Sequence, residues 1–201
     1  MHLGLDFDNT LISYDILFKQ VALEQGLIPE NIEENKNAVR NYLKKIDQED
    51  VWTRLQGDVY GNRILEATPY PEMKQSLQAL AHLKIPLTIV SHKTKMPFLG
   101  EKWDLHAAAR AWLEKHEMHS YLGPNIPREQ TFFELTKQAK CDRIVAVGCT
   151  HFIDDLPEIL EMLPDTIVKI YFSPDNHLIE NNHWLMMRSW ANLPELLGIC
   201  K

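Results

Sequence analysis

The sequence predicts an α/β fold in which a parallel sheet is covered by helices on both faces and interrupted once by an all-helical block. Three observations predict it. Short apolar runs alternate with helix-length amphipathic stretches through much of the 201 residues, as in a sheet buried on both sides. Three of those runs end on polar residues, at Asp6 and Asp8, at Ser91, and at Asp154–Asp155. Between the first run and the second lies a stretch, 13–68, with helical periodicity and no convincing strand.

Residues 2–8 read as a buried strand. Three apolar stripes follow: Tyr14, Leu17, Phe18 and Val21; Val39, Tyr42, Leu43 and Ile46; Val51, Trp52 and Leu55. Gly26, Pro29, Gly57 and Gly61 punctuate them. After Pro69 and Pro71, the spacing of Met73, Leu77, Leu80 and Ala81 gives an amphipathic helix. Pro86 precedes Leu87–Val90, a strand that ends at Ser91. Leu105, Ala108, Ala109, Trp112 and Leu113 predict a helix over 104–118, and Thr131–Phe133 reads as a short strand. Thr136 is placed to cap a helix over 137–147. A strand at Thr150–Ile153, a helix at Pro157–Leu163, a strand at Thr166–Phe172 and a closing helix at Ala191–Leu197 complete the pattern. The domain expectation is therefore a core of 1–12 and 69–201 with an inserted helical cap at 13–68.

Composition narrows the function. The chain is 45% hydrophobic and 24% charged, with a formal net charge of −7. That is ordinary for a globular protein and argues against a broad electrostatic nucleic-acid surface. No apolar stretch is long enough to span a bilayer, and no signal peptide is visible. Cys141, Cys149 and Cys200 lack CxxC spacing and read as reduced thiols of a cytoplasmic protein. His116-Glu117-Met118-His119 lacks the spacing that puts two histidines on one helix face. Trp184, Met186, Met187 and Trp190 read as core or as an oligomer surface.

The strand ends carry the chemistry. In a strand, residues i and i+2 point to one side, so Asp6 and Asp8 set two like charges together. They repel unless a cation or a shared proton offsets them, and a divalent metal with a reaction at that place is the simplest account. In an open parallel sheet, ligands bind beyond the carboxyl ends of the strands. Ser91 and Asp154–Asp155 fall at such ends and can converge on the same site.

These residues carry a resemblance. Asp6-Phe7-Asp8-Asn9-Thr10 is similar to the DxDxT first motif of the haloacid dehalogenase-like superfamily of phosphohydrolases. Leu87–Ser91 resembles its second motif, an apolar strand ending in Ser or Thr. Phe152-Ile153-Asp154-Asp155 resembles its acidic fourth motif, and Lys137 and Lys140 compete for the lysine of the third. The resemblance implies a Rossmann-like three-layer α/β/α core, with the 13–68 block at the family's commonest position for a helical cap.

It also implies roles. Asp6 is the expected nucleophile, forming an aspartyl phosphate. Asp8 is the expected general acid and then base. Thr10 and Ser91 are expected to bind phosphoryl oxygens, with Lys140 preferred over Lys137 as the neutralising lysine. Mg²⁺ is the expected cofactor, held by Asp6, the Asp8 carbonyl and the acidic pair, with Asp155 as the direct ligand and Asp154 as its partner. Arg54, Gln56, His92 and Lys93 are candidates for substrate contact. The implied activity is that of a Mg²⁺-dependent phosphatase acting on a small phosphorylated metabolite. A sugar-phosphate mutase and a non-catalytic phospholigand-binding protein of the same fold are the alternatives. Because the family's dehalogenases lack the second aspartate, Asp8 favours phosphate chemistry.

Overall fold

The computed structural model describes residues 1–175 and 183–199, and Cys200 lies outside them. In chain order the elements are β1 (Leu3–Leu5), β2 (Ile12–Ser13), α1 (Asp15–Glu24), α2 (Lys36–Lys45), α3 (Glu49–Gly57), β3 (Thr68–Pro69), α4 (Met73–His82), β4 (Leu87–His92), α5 (Leu105–Lys115), β5 (Thr131–Glu134), α6 (Lys137–Ala146), β6 (His151–Asp154), α7 (Pro157–Met162), β7 (Val168–Phe172), β8 (Leu185–Met187) and α8 (Leu193–Leu196). They form two compact units. One contains Met1–Ile12, Pro69–Lys93 and His116–Lys201, and the other Ser13–Thr68 and Thr94–Lys115. The strands β2 and β3 pair with one another. No helix among the described residues is long and apolar enough to cross a membrane.

The first unit is built on a six-stranded sheet in the order β5-β4-β1-β6-β7-β8. Every pair in it is parallel. Helices flank the sheet, which makes this an α/β Rossmann-like core. Side chains alternate across the strands with period two. Val90, Phe152, Tyr171 and Met186 share one face with Cys141 and Ile144 of α6 and Ile159 and Leu160 of α7. Their neighbours Leu5, Ile89, Ile153 and Ile170 are buried too. The helices α4 and α8 pack on each other and bury Met73, Leu77, Leu80 and Leu193. Gly4 sits where a side chain does not fit: an added Cβ would overlap the Phe152 ring and lie 2.8 Å from Cys149 Sγ.

Two differences from the sequence reading stand out here. Of the group expected as core or an oligomer surface, Trp184, Met187 and Trp190 are buried, but Met186 and Met187 also belong to a sixth strand, Leu185–Met187, that the sequence does not reveal, with Ile170 aligned to Leu185 and Phe172 to Met187. The first strand ends at Leu5, so Asp6 and Asp8 lie beyond it.

The second unit is helical. Phe18 stacks on Trp52 with centroids 4.9 Å apart, and Tyr14 meets Tyr60 edge-on at 4.8 Å. Asn35 caps α2 by accepting from the amides of Asn37 and Ala38 at 2.7 and 3.2 Å. The chain from Asp58 to Asn62 is a π-helical turn. Thr94–Lys115 belongs to this unit, whereas the sequence places its helix in the 69–201 core. The reason lies in two glycines that look like turn residues in the sequence. Gly57 makes room for Pro97, which an added Cβ would approach to 2.8 Å, and Gly61 makes room for Trp103. Trp112 of α5 then donates its indole N–H to the Ala67 carbonyl at 2.8 Å.

Candidate active site

The register of the central strands brings three chain segments level. Leu5 is aligned with Ile89 of β4 and with Ile153 of β6. The Asp6 amide extends the β1–β6 ladder by donating to the Ile153 carbonyl at 2.9 Å. Asp6 therefore leaves the sheet beside Ser91 and Asp154. The Ser91 hydroxyl donates to Asp6 Oδ1 at 2.9 Å.

Beyond Asp6 the chain turns sharply. The Phe7 carbonyl receives the amides of Thr10, Leu11 and Ile12, at 3.4, 3.0 and 3.3 Å. Asn9 at the bend has φ 56°, a left-handed conformation that asparagine tolerates better than most residues. Thr10 is fully buried, and its hydroxyl has no hydrogen-bond partner among the described residues.

Lys140 sits at the centre of the carboxylates. Thr136 caps α6 by accepting from the Ala139 amide at 3.1 Å, which fixes the helix start just below the strand ends. Lys140 Nζ lies 2.6 Å from Asp6 Oδ1 and 2.6 Å from Asp154 Oδ2, with its side chain 1% exposed. Burial alone would drive this ammonium toward the neutral form, but Asp154 and Asp6 outweigh it and hold the lysine above its ordinary range. Asp154 is fully buried. Burial pushes its carboxyl up, with the Asp6 charge adding to that, against the pull of Lys140 and the Leu156 amide. The Leu156 amide donates to Asp154 Oδ1 at 3.0 Å, so both Asp154 oxygens are engaged.

Of the two candidate lysines, the structure brings only Lys140 to the cluster. Lys137 pairs with Glu158 at 2.6 Å and is 40% exposed. Both lysines lie near one stripe, which is why periodicity does not separate them. Helical side chains tilt toward the helix N-terminus. Lys140, a turn inside the helix, reaches back to the strand ends, while Lys137 begins at the rim and turns to α7.

Asp8 has its own cation, and sequence spacing gave no sign of it. Lys93 Nζ lies 2.9 and 2.8 Å from the two Asp8 carboxylate oxygens. The Lys93 amide donates to the Glu134 carbonyl at 2.9 Å, continuing the β4–β5 ladder. His92 ends β4, half-buried. Arg54 and Gln56 lie on α3 of the helical unit, Arg54 exposed and Gln56 half-buried.

The donor set suits a hard divalent cation. Asp6, Asp154 and Asp155 each offer an oxygen within 4.8 Å of the others, and all-oxygen donors match Mg²⁺. Asp6 and Asp154 share the Lys140 ammonium, and Asp8 pairs with Lys93. The Ser91 and Lys140 bonds to Asp6 both fall on Oδ1, and neither falls on Oδ2. Such an arrangement can bind a divalent cation and an anionic group at the mouth of the sheet.

No protein-family model matches the sequence, and no curated protein matches it. Solved structures do match the fold. One is a predicted phosphoglycolate phosphatase from Haemophilus somnus, with 14% identity and a TM-score of 0.59, covering 98% of this chain and 97% of that one. A second is a HAD family hydrolase from Deinococcus radiodurans with bound phosphate and sodium, with 14% identity and a TM-score of 0.59, covering 98% and 94%. A third is an L-2-haloacid dehalogenase, with 11% identity and a TM-score of 0.56, covering 98% and 97%. The chain thus has the fold of the haloacid dehalogenase-like hydrolases.

Proposed function

We propose that the protein is a Mg²⁺-dependent phosphohydrolase acting on a small phosphorylated metabolite in the cytoplasm. The observation that carries this reading is the buried convergence of Asp6, Ser91, Lys140 and Asp154 at neighbouring strand ends, with Asp155 completing an all-oxygen donor set. Cys141 and Cys149, both buried free thiols, fit a reducing compartment.

Asp6, the Asp8 carbonyl and Asp155 would hold the metal, with Asp154 kept in place by Lys140. Bound there, Mg²⁺ would offset the repulsion between a carboxylate and an anionic phosphoryl group. Asp6 attacks phosphorus as the bond to the leaving oxygen breaks, and that oxygen keeps the bonding pair and takes a proton from Asp8. Water then attacks the aspartyl phosphate, Asp8 takes a proton from it, and the Asp6 oxygen leaves with its electron pair. Ser91 and Thr10 donate to the phosphoryl oxygens, and the orphaned Thr10 hydroxyl suits that task. Lys140 neutralises the charge that builds up.

The dehalogenases among the similar folds supply the rival reading. Asp8 favours phosphate transfer, because displacing halide from carbon needs no proton on the leaving group. The test is hydrolysis of para-nitrophenyl phosphate with and without Mg²⁺, beside chloride release from a 2-chloro acid. Metal-dependent phosphate release that is lost in Asp6→Asn is expected. Chloride release in its place would overturn the proposal.

A further inference from the structure

We propose that Lys93 is the positioning residue for Asp8, fixing the carboxylate that exchanges protons with the leaving group and with water. This inference rests on the phosphohydrolase reading. Its basis is the two-pronged contact already described, in which one ammonium spans both Asp8 oxygens.

Exposure separates positioning from substrate binding. The Lys93 side chain is 3% exposed and that of Asp8 24%. Asp8 is thus the more accessible of the two, and Lys93 is almost closed off from anything that enters. The lysine is held from two further sides. Its ammonium lies 5.4 Å from the centroid of the buried Phe7 ring, a cation–π distance, and Phe7 in turn meets Phe133 edge-on at 5.8 Å. The Lys93 backbone is pinned to Glu134. Asp8 follows a sharp turn and Lys93 ends a sheet ladder, so the contact ties a loop carboxylate to the rigid sheet.

The contact also suits the chemistry. When Asp8 gives its proton to the leaving oxygen it becomes an anion, and Lys93 already stands where that charge appears. No reorganisation is needed at the moment of transfer. Lys140 serves Asp6 and Asp154, so each carboxylate of the first motif has its own buried ammonium.

The test compares wild type, Lys93→Met, Lys93→Arg, Asp8→Asn and the Lys93→Met/Asp8→Asn double variant, as full chains with Mg²⁺. The burst of alcohol release is followed with para-nitrophenyl phosphate, whose leaving group needs no proton, and with an alkyl phosphate, whose leaving group does. General acids contribute about 100-fold or more, so Lys93→Met should slow the alkyl ester at least about tenfold more than the aryl ester. KM should change little, Lys93→Arg should recover part of the rate, and the double variant should be no slower than Asp8→Asn. Equal losses on the two esters, or losses that multiply in the double variant, would overturn the proposal. Urea unfolding of the same variants reads the contact without turnover. Each single variant should lose stability, and the double variant should lose less than the two together. If wild type turns over neither ester, the phosphohydrolase reading falls. Additive unfolding losses would refute the Lys93–Asp8 coupling itself.

Discussion

Trp190 donates its indole N–H to the carbonyl of Thr10, 3.1 Å away and 180 residues earlier in the chain. The far end of the first unit thereby holds the turn that carries the DxDxT residues. The Trp190 carbonyl accepts in turn from the buried Ser76 hydroxyl at 2.7 Å, so the backbone that carries the indole is tied to α4. Trp190→Phe keeps most of the ring packing and removes the donor. A buried carbonyl left without its partner costs about 1–3 kcal/mol. A loss of that size is expected in urea unfolding, together with slower phosphate release through Thr10.

Lys140→Met should be more severe. It leaves Asp6 and Asp154 facing each other, both buried. Removing one partner of a buried ion pair costs about 3–5 kcal/mol. Adding Asp154→Asn should restore part of the stability and none of the activity, as read by denaturant titration and phosphate release.

Metal should stabilise the fold. An ion that binds only the native state at a hundredfold excess over its Kd adds about 2.7 kcal/mol. The Tm should rise with Mg²⁺ and fall back with a chelator. Asp155→Asn should flatten the response while leaving the metal-free Tm nearly unchanged, since Asp155 is the most exposed of the three acids.

The glycine that receives Trp103 gives a test confined to the helical unit. Gly61→Ala puts a methyl group into the Trp103 side chain, and overpacking of this kind costs about 1–3 kcal/mol. Tryptophan fluorescence during unfolding should report the loss. Trp103→Leu in the same chain should recover some of it.

Stability should also fall in mild acid, through His2. Burial lowers the His2 pKa below its ordinary value, outweighing the Gly148 backbone hydrogen bond, which raises it. Its Nε2 lies 2.7 Å from the Thr88 hydroxyl oxygen. The unfolded chain, with an ordinary histidine near 6.5, binds the proton more tightly than the folded one. The His2 contribution is therefore complete above about pH 6.5 and is lost as pH falls through the lower folded pKa. Urea midpoints at pH 7.5 and pH 5.5 should differ, and His2→Gln should narrow the difference. Burial lowers the His151 pKa too, so part of the slope should survive.

Much of this site can be read from sequence, because strands impose simple rules. A buried run followed by Asp6 and Asp8, another followed by Ser91 and a third followed by Asp154–Asp155 locate three strand ends, and the parallel register brings them level. What stays hidden depends on pairings that no local rule encodes. Lys93 meets Asp8 across 85 residues. Lys137 and Lys140 share a stripe and differ only in how far along the helix they start. Leu185–Met187 is too short and too uniformly apolar to display a period of two. Gly57 and Gly61 look like turn residues because their purpose, seating Pro97 and Trp103, lies in a later segment.

Those two seats bear on how the chain acquires its structure during synthesis. The helices of Ser13–Thr68 emerge from the ribosome well before the segment that fills them. Until Thr94–Lys115 has followed, the grooves at Gly57 and Gly61 stay open and the Ala67 carbonyl waits for Trp112. The sheet is interrupted in the same way, since β4 is made before α5 and β5 after it. The helical unit is complete only once Lys115 has been made, and the sheet only once β8 has followed. Contacts so distant in sequence slow folding. The nascent protein passes through a stage in which apolar seats are exposed, and that stage, more than the finished molecule, is where it is most open to aggregation.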